Sequence, residues 1–309
     1  MSHLGFGTAS LASLDDRRAV WKLLDAALEC GITHFDTARL YGDGTMERML
    51  RPFVRSNRED ITIASKFGLP GRWSGPIPSL LLPTARRWVK RISRHRRETL
   101  SQKAVGFDPP IPQLTVEAMQ RSLRITLREL GTDSLDLFLM HEARPEQVSK
   151  DLLIALESEK EKGLIKAYGS GGEWENTMSQ TTLPWPYPPV LQAPASLALA
   201  DNQPECLLQA PTIIHSVFRG MGYLEGVMAR ESDIADFPGD QFSGGATLSE
   251  IFLRWALNRY PNSRVLIGAR SISRIRANAA IAAKPIDASL LANQLDWLRQ
   301  RGVLSQSSL

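Results

Sequence analysis

Short apolar runs alternate with amphipathic helix-like stretches along almost the whole chain, and this alternation restricts the fold more than any other feature. The apolar runs are 4–8, 33–36, 61–66, 135–141, 165–169, 190–193, 212–217 and 264–268. They are rich in Ile, Val, Leu and Phe, as parallel strands buried on both faces are. Between them, 15–30 sets Val20, Leu23, Leu24, Ala27 and Leu28 on one helical face and stops at Gly31. Residues 115–130 repeat the pattern with Met119, Leu123, Leu127 and Leu130, Thr115 as N-cap and Gly131 as the stop. Residues 149–162 end at Gly163, and 248–258 precede Pro261. Strand then helix, eight times over, predicts an α/β protein whose parallel strands close into a (β/α)8 TIM barrel. Such a barrel needs ~250 residues plus insertions. The 309 residues therefore suit a single domain over 1–309 with long βα loops, and 305–309 are expected to form a mobile tail.

Two stretches break the alternation. Residues 68–113 and 170–189 are proline-rich and much longer than the ~2–6 residues of an ordinary βα connection. Both follow candidate strands, so both belong to the face where barrel enzymes keep their chemistry. Residues 68–113 are therefore expected to form a lid. Between Arg86 and Arg97 this insertion carries seven basic residues and no acid, more than the chain's whole net charge of +4. A basic excess confined to one segment reads first as a solvated surface helix, so nucleic acid is not expected as a partner.

The hydrophobic and charged fractions, 43% and 23%, are ordinary for a globular enzyme. Cys30 and Cys206 have no metal-ligand or redox spacing, so no metal site is expected and a reducing cytoplasm is the simplest location. The stretch through Leu11 lacks the pattern of a signal peptide, and no apolar run approaches the ~20 residues of a membrane helix.

Three of the strand runs end on polar side chains: Asp36, Lys66 and His141. Tyr41 follows Asp36 by five residues. In a closed barrel these ends converge on one mouth. Each residue has an ordinary role of its own: a helix cap, a solvated lysine, a loop anchor, a hydrogen-bonded structural histidine. Together they suit carbonyl reduction. Adding hydride to a carbonyl builds charge on oxygen, and a tyrosine can supply the proton if its pKa, near 10 when unperturbed, is lowered. An ammonium such as Lys66 lowers it, Asp36 would hold that ammonium, and His141 could orient the carbonyl.

Phe35-Asp36-Thr37-Ala38, then Tyr41-Gly42, then Glu47, resembles the signature segment of the aldo-keto reductases. Ala64-Ser65-Lys66-Phe67-Gly68 resembles that family's lysine segment, and the run ending in Leu139-Met140-His141 its histidine strand. Leu4-Gly5-Phe6-Gly7-Thr8 resembles its opening strand, and Leu266-Ile267-Gly268-Ala269-Arg270-Ser271 with Asn278 its adenosine-phosphate segment. The resemblance runs in order along nearly the whole chain. It implies a (β/α)8 barrel that binds NADP(H), or alternatively NAD(H), extended across the mouth. In keeping with this, the chain has no strand–GxGxxG–helix motif.

The resemblance assigns Tyr41 as acid, Lys66 and Asp36 as its tuning pair, and His141 as the carbonyl orienter. It points to Gly7, Thr8 and Asp36 as cofactor contacts and to Gln192 for the nicotinamide carboxamide. It sets His215 where an aromatic ring stacks on the nicotinamide, and Ser216 with the 218–224 turn, Phe218 included, on the pyrophosphate side. Gly268, Arg270, Ser271, Arg274 and Asn278 fall around the 2′-phosphate. Where the family has a Ser-Asn pair after its fifth strand, this chain has Gly169-Ser170-Gly171-Gly172; Ser170 is the remaining hydroxyl and the asparagine is absent. The function implied is hydride transfer between nicotinamide and a carbonyl: reduction of an aldehyde or ketone, or oxidation of a sugar or alcohol in reverse. The alternative is a non-catalytic, cofactor-binding barrel that senses redox state or serves as a regulatory subunit. The intact Asp36, Tyr41, Lys66 and His141 favour the enzyme.

Overall fold

The computed structural model describes residues 3–14, 16–69, 112–173, 190–198, 212–229, 236–239 and 242–304. Eight parallel strands pair in chain order and close when the last meets the first. They are β1 (Leu4–Gly7), β2 (His34–Asp36), β3 (Thr62–Phe67), β4 (Leu135–His141), β5 (Ile165–Gly171), β6 (Val190–Pro194), β7 (Thr212–His215) and β8 (Arg264–Ile267). All eight expected runs contain a strand. The main difference is β5, which continues two residues further because Ser170 and Gly171 pair with Leu191 and Gln192. Gly and Ser carry little strand propensity, so this extension comes from the neighbouring strand.

The helices are α1 (Arg17–Glu29), α2 (Thr45–Asn57), α3 (Val116–Leu130), α4 (Lys150–Glu161), α5 (Met221–Met228), α6 (Gly245–Arg259), α7 (Ile272–Ala283) and α8 (Ala288–Gln300). Local chemistry sets their ends. Asp16 accepts the Arg18 N–H at the start of α1, Thr115 accepts the Ala118 N–H at the start of α3, and Gly131 ends α3 in the left-handed region at φ 69°. The alternation implies a helix after each strand, but the local pattern places none over α2, α5, α7 or α8. For α2 the obstacle is Pro52, an interior proline that costs roughly 3 kcal/mol. Burial of Met46, Leu50, Phe53 and Val54 against the barrel overrides it.

Phe35 packs edge-on against Phe53 at 4.8 Å, and Phe67 stacks on Phe138 at 4.7 Å. Behind β3 a buried carboxylate ties three elements together. Glu47 of α2 accepts from Arg39 at 2.5 Å, from Ser65 Oγ of β3 at 2.8 Å and from Thr126 Oγ1 of α3 at 2.8 Å. Ser65 adjoins Lys66, so this anchor also fixes the strand that carries the lysine.

Most of the expected lid, its basic segment included, lies outside the described residues, as do 174–189, Cys206 and the 305–309 tail. The neck of the 68–113 insertion is visible: Gln113 N–H donates to Gly68 O at 2.8 Å, beside the His141 carbonyl. Among the described residues no helix is long and apolar enough to cross a membrane, and no three His, Cys, Asp or Glu gather as for a metal.

Candidate active site

The strand registers bring the polar strand ends to one mouth. Asp36 closes β2, Lys66 precedes the last residue of β3, and His141 closes β4. Tyr41 opens a short 3-10 turn, Tyr41–Gly44, just beyond β2. Lys66 Nζ reaches Asp36 Oδ1 at 2.5 Å, the Thr37 carbonyl at 3.0 Å and the Tyr41 hydroxyl at 3.4 Å. The second Asp36 oxygen, Oδ2, accepts from Gln192 Nε2 of β6 at 2.9 Å. His141 stands edge-on to the Tyr41 ring, 6.1 Å between centroids. Asp36, Lys66 and Gln192 are almost fully buried, at 2%, 3% and 2% exposure.

Burial dominates the electrostatics. It pushes the Tyr41 phenol above its ordinary value, and the Lys66 ammonium pulls it back only in part. The ammonium alone would give the lowered phenol that the sequence suggests; desolvation reverses the net direction. Lys66 itself is raised, because Asp36 and Tyr41 together outweigh its burial. His141 is pushed down to about 3 by burial, then by Lys66 and His215. His215 is pushed down to about 4 by burial and then Lys66. Both imidazoles are therefore neutral at ordinary pH.

A cavity of about 500 Å³ opens over these groups. It is lined by Gly7, Asp36, Tyr41, Lys66, His141, Gln192, His215, Ser216, Phe218 and Gly268 from the expected set. A second cavity of about 610 Å³ is lined by Gly268, Arg270, Ser271 and Arg274. The two share Ala9, Ser10 and Gly268, and so form one trough from the Lys66 end to the start of α7. There Ser271 caps the helix by accepting the Arg274 N–H.

Three expected residues line neither cavity: Thr8, Ser170 and Asn278. Thr8 is buried and its Oγ1 donates to the Asp36 carbonyl at 2.9 Å. Ser170 and Asn278 are buried within β5 and α7. Gly171 and Gly172 line the cavity at the end of β5.

Several lining groups are not marked in the sequence: Ser10, Glu142 and Glu173, whereas Arg219 falls in the expected 218–224 turn. Glu142 and Ser216 both adopt left-handed backbone, φ 57° and 59°, uncommon for non-glycine residues and typical of functional sites. Glu142 follows His141 directly, a signal that sequence could have offered. Arg219 meets Glu173 through both terminal nitrogens, at 2.7 and 2.8 Å, so the pair links the loop after β7 to the end of β5 at the cavity wall.

The trough fits an extended dinucleotide phosphate. Ser10 Oγ is buried without a hydrogen-bond partner among the described residues, at the junction of the two cavities. A Cβ on Gly268 would come within 3.3 Å of that hydroxyl, so the glycine keeps the junction open. Arg270 and Arg274 are exposed and have no carboxylate within salt-bridge distance among the described residues. Two such guanidinium groups beside a helix N-terminus suit a phosphate.

This barrel, with a tyrosine, lysine, aspartate and histidine at one mouth, belongs to the aldo/keto reductase family, whose model matches residues 3–211. Among curated relatives, the chain is 28% identical over 183 residues to a D-threo-aldose 1-dehydrogenase of a Pseudomonas species, covering 54% of this chain and 49% of that one. It is 23% identical over 298 residues to the pyridoxine 4-dehydrogenase of Escherichia coli, covering 91% and 89%. The chain thus spans about half the length of the aldose dehydrogenase and most of the pyridoxine enzyme. Among solved structures, an aldo-keto reductase from Klebsiella pneumoniae in complex with NADPH superposes with a TM-score of 0.70 at 22% identity, over 99% of this chain and 93% of that one. At that identity the match speaks for the shared barrel.

Proposed function

We propose that this chain is an NADP(H)-dependent oxidoreductase that interconverts a small carbonyl compound and its alcohol. One observation carries the reading: a buried ammonium held between the Asp36 carboxylate and the Tyr41 hydroxyl, at the floor of the mouth cavity. Bound nicotinamide would supply or accept the hydride. Everything else falls to the chain's own side chains. Tyr41 gives its proton to the carbonyl oxygen as charge develops there. Lys66 favours the phenolate left behind, and Asp36 keeps that ammonium charged and in place. His141, neutral in this setting, donates one ring N–H to the same oxygen and orients it.

For the cofactor, Gly7, Gly268 and Ser10 would floor the trough, and Ser216 and Phe218 would face the diphosphate. Arg270, Ser271 and Arg274 would take the 2′-phosphate, and the His215 ring would lie against the nicotinamide. Thr8 acts through Asp36, and Ser170 and Asn278 support the walls. The substrate is a small carbonyl compound or a sugar. The charged Glu142, Glu173 and Arg219 around the cavity favour a polar one, and two of the matched relatives are named as an aldose and a pyridoxine dehydrogenase.

The test is NADPH consumption with a panel of aldehydes, ketones and aldoses, against a Tyr41→Phe control. Turnover above that control supports the reading. Tight cofactor binding with no turnover on any of them would replace the enzyme by a cofactor-sensing barrel.

A further inference from the structure

The Asp36 carboxylate is an acceptor only, so each oxygen needs a donor once water is excluded. Oδ1 has Lys66 Nζ at 2.5 Å, and Oδ2 has Gln192 Nε2 at 2.9 Å. The amide of Gln192 can face Asp36 only through its nitrogen, because its carbonyl oxygen would oppose another acceptor. Its Oε1 must then point away, toward β5. There, a Cβ on Gly171 would lie 2.6 Å from Oε1. The register pairs Gly171 with Gln192 directly, and glycine leaves the slot that this oxygen occupies. The glycine run at the end of β5, a departure from the family pattern, thus has a local consequence: it lets Gln192 lie against β5 and reach across to β2.

We infer that Gln192 is a positioning residue for proton transfer: its amide N–H fixes Asp36, Asp36 fixes Lys66, and Lys66 is thereby held under the Tyr41 hydroxyl. The donor end of this amide is spent on the protein. Only Oε1 remains for a nicotinamide carboxamide. Among the three Lys66 contacts the one to Tyr41 is longest, 3.4 Å against 2.5 and 3.0 Å. It is the first to fail if Asp36 can turn. Tyr41 then loses the ammonium that favours its phenolate, and the phenol ionises at higher pH.

The charged and titratable groups around Tyr41 are Lys66 from β3, Asp36 from β2, His141 and Glu142 from the end of β4, and His215 from β7 beyond them. His141 and His215 are neutral far below the alkaline range. An alkaline transition at Tyr41 therefore belongs to the coupled Tyr41–Lys66 pair.

This inference rests on reading Tyr41 as the proton donor, but it is tested without turnover. The chain has five tyrosines; 3-fluorotyrosine is incorporated at all of them, and the Tyr41 fluorine resonance is assigned by its loss in Tyr41→Phe. The cofactor-free protein is then titrated by fluorine NMR. Gln192→Met, which keeps length and removes the donor, should move the Tyr41 transition up by at least about half a pH unit. Gly171→Ala keeps the amide but crowds Oε1, and should move it the same way by less. It also carries the test if Gln192→Met does not fold. Gln192→Met also removes Oε1, so NADPH affinity, read by fluorescence quenching, should fall with it, and kcat should fall about tenfold or more. A Tyr41 transition that stays in place in the folded variants overturns the inference, whatever happens to cofactor affinity. If the parent protein has no turnover, the functional reading fails; the titration still decides the role of Gln192.

Discussion

Lys66 Nζ stands 3.4 Å from the Tyr41 hydroxyl and 5.1 Å from the centre of its ring, while its main bond, at 2.5 Å, goes to Asp36. The lysine serves the tyrosine and is itself served by the aspartate, so the group should behave as one unit. Tyr41→Phe is expected to lower kcat by ~10²–10⁴-fold, the usual worth of a general acid. Lys66→Met should match it within about tenfold, and the double variant should be little worse than either single one. Single-turnover kinetics of all three variants checks this. A double variant slower by the product of the two single effects would mean independent roles.

Arg270 and Arg274 flank Ser271 where the second cavity meets α7. Replacing both by Ala should remove charge-assisted bonds worth roughly 1.5–3 kcal/mol to a 2′-phosphate. NADPH affinity should then fall by ten-fold or more, on the order of the same energy, while NADH affinity changes little. Fluorescence quenching at one fixed salt concentration measures both. An equal loss for the two cofactors would place the phosphate elsewhere.

Glu47 is fully buried, and Arg39 is the cation that faces it among the described residues. Breaking a buried pair from one side costs about 3–5 kcal/mol, because the remaining charge is left uncompensated. Arg39→Met is therefore expected to be severely destabilised in urea. Adding Glu47→Gln should recover a substantial part, since the orphan charge is gone while Ser65 and Thr126 retain an amide oxygen to bond. No recovery would show that the pair acts chiefly through packing.

His34 sits at the start of β2, at the end of the barrel away from the site, with Nδ1 2.8 Å from Thr62 Oγ1. Burial, and next Arg264, pushes it down to about 4 from 6.5. The folded protein keeps this ring neutral, while the unfolded chain takes up a proton below about pH 6.5. Its contribution is therefore complete above that pH and is lost as the pH falls from about 6.5 toward 4. His34→Asn should reduce the slope of stability against pH in this window by roughly 1 kcal/mol per pH unit. Urea midpoints at pH 7, 6 and 5 provide the comparison. His141 and His215, also held down, keep the slope of the variant above zero.

The barrel, its three polar strand-end residues and Tyr41 just beyond β2 were legible in the chain because all rest on local pattern. Apolar runs of strand length, separated by one-faced helices, leave few closed arrangements, and the C-terminal end of each run is where a side chain meets the mouth. Helix α2 was not legible, since Pro52 argues against a helix until the packing of Leu50 and Phe53 is known. The net shift of Tyr41 was not legible either, because desolvation depends on which side chains from distant segments close over the phenol.

By itself, then, the sequence determined the strand order, the mouth, and the identity of the lysine, aspartate, tyrosine and histidine gathered there. Only the tertiary structure decided which neighbours turn inward. Strands buried on both faces are apolar on both, so alternation cannot say which face looks into the barrel. In β5 that choice places Gly171 in the cavity wall and leaves Ser170 out of it, although the two are adjacent in the chain. The same register, pairing Gly171 with Gln192, commits the glutamine amide to Asp36. One residue of slip would exchange the two faces of the strand, and no local pattern in 165–171 distinguishes the two alternatives.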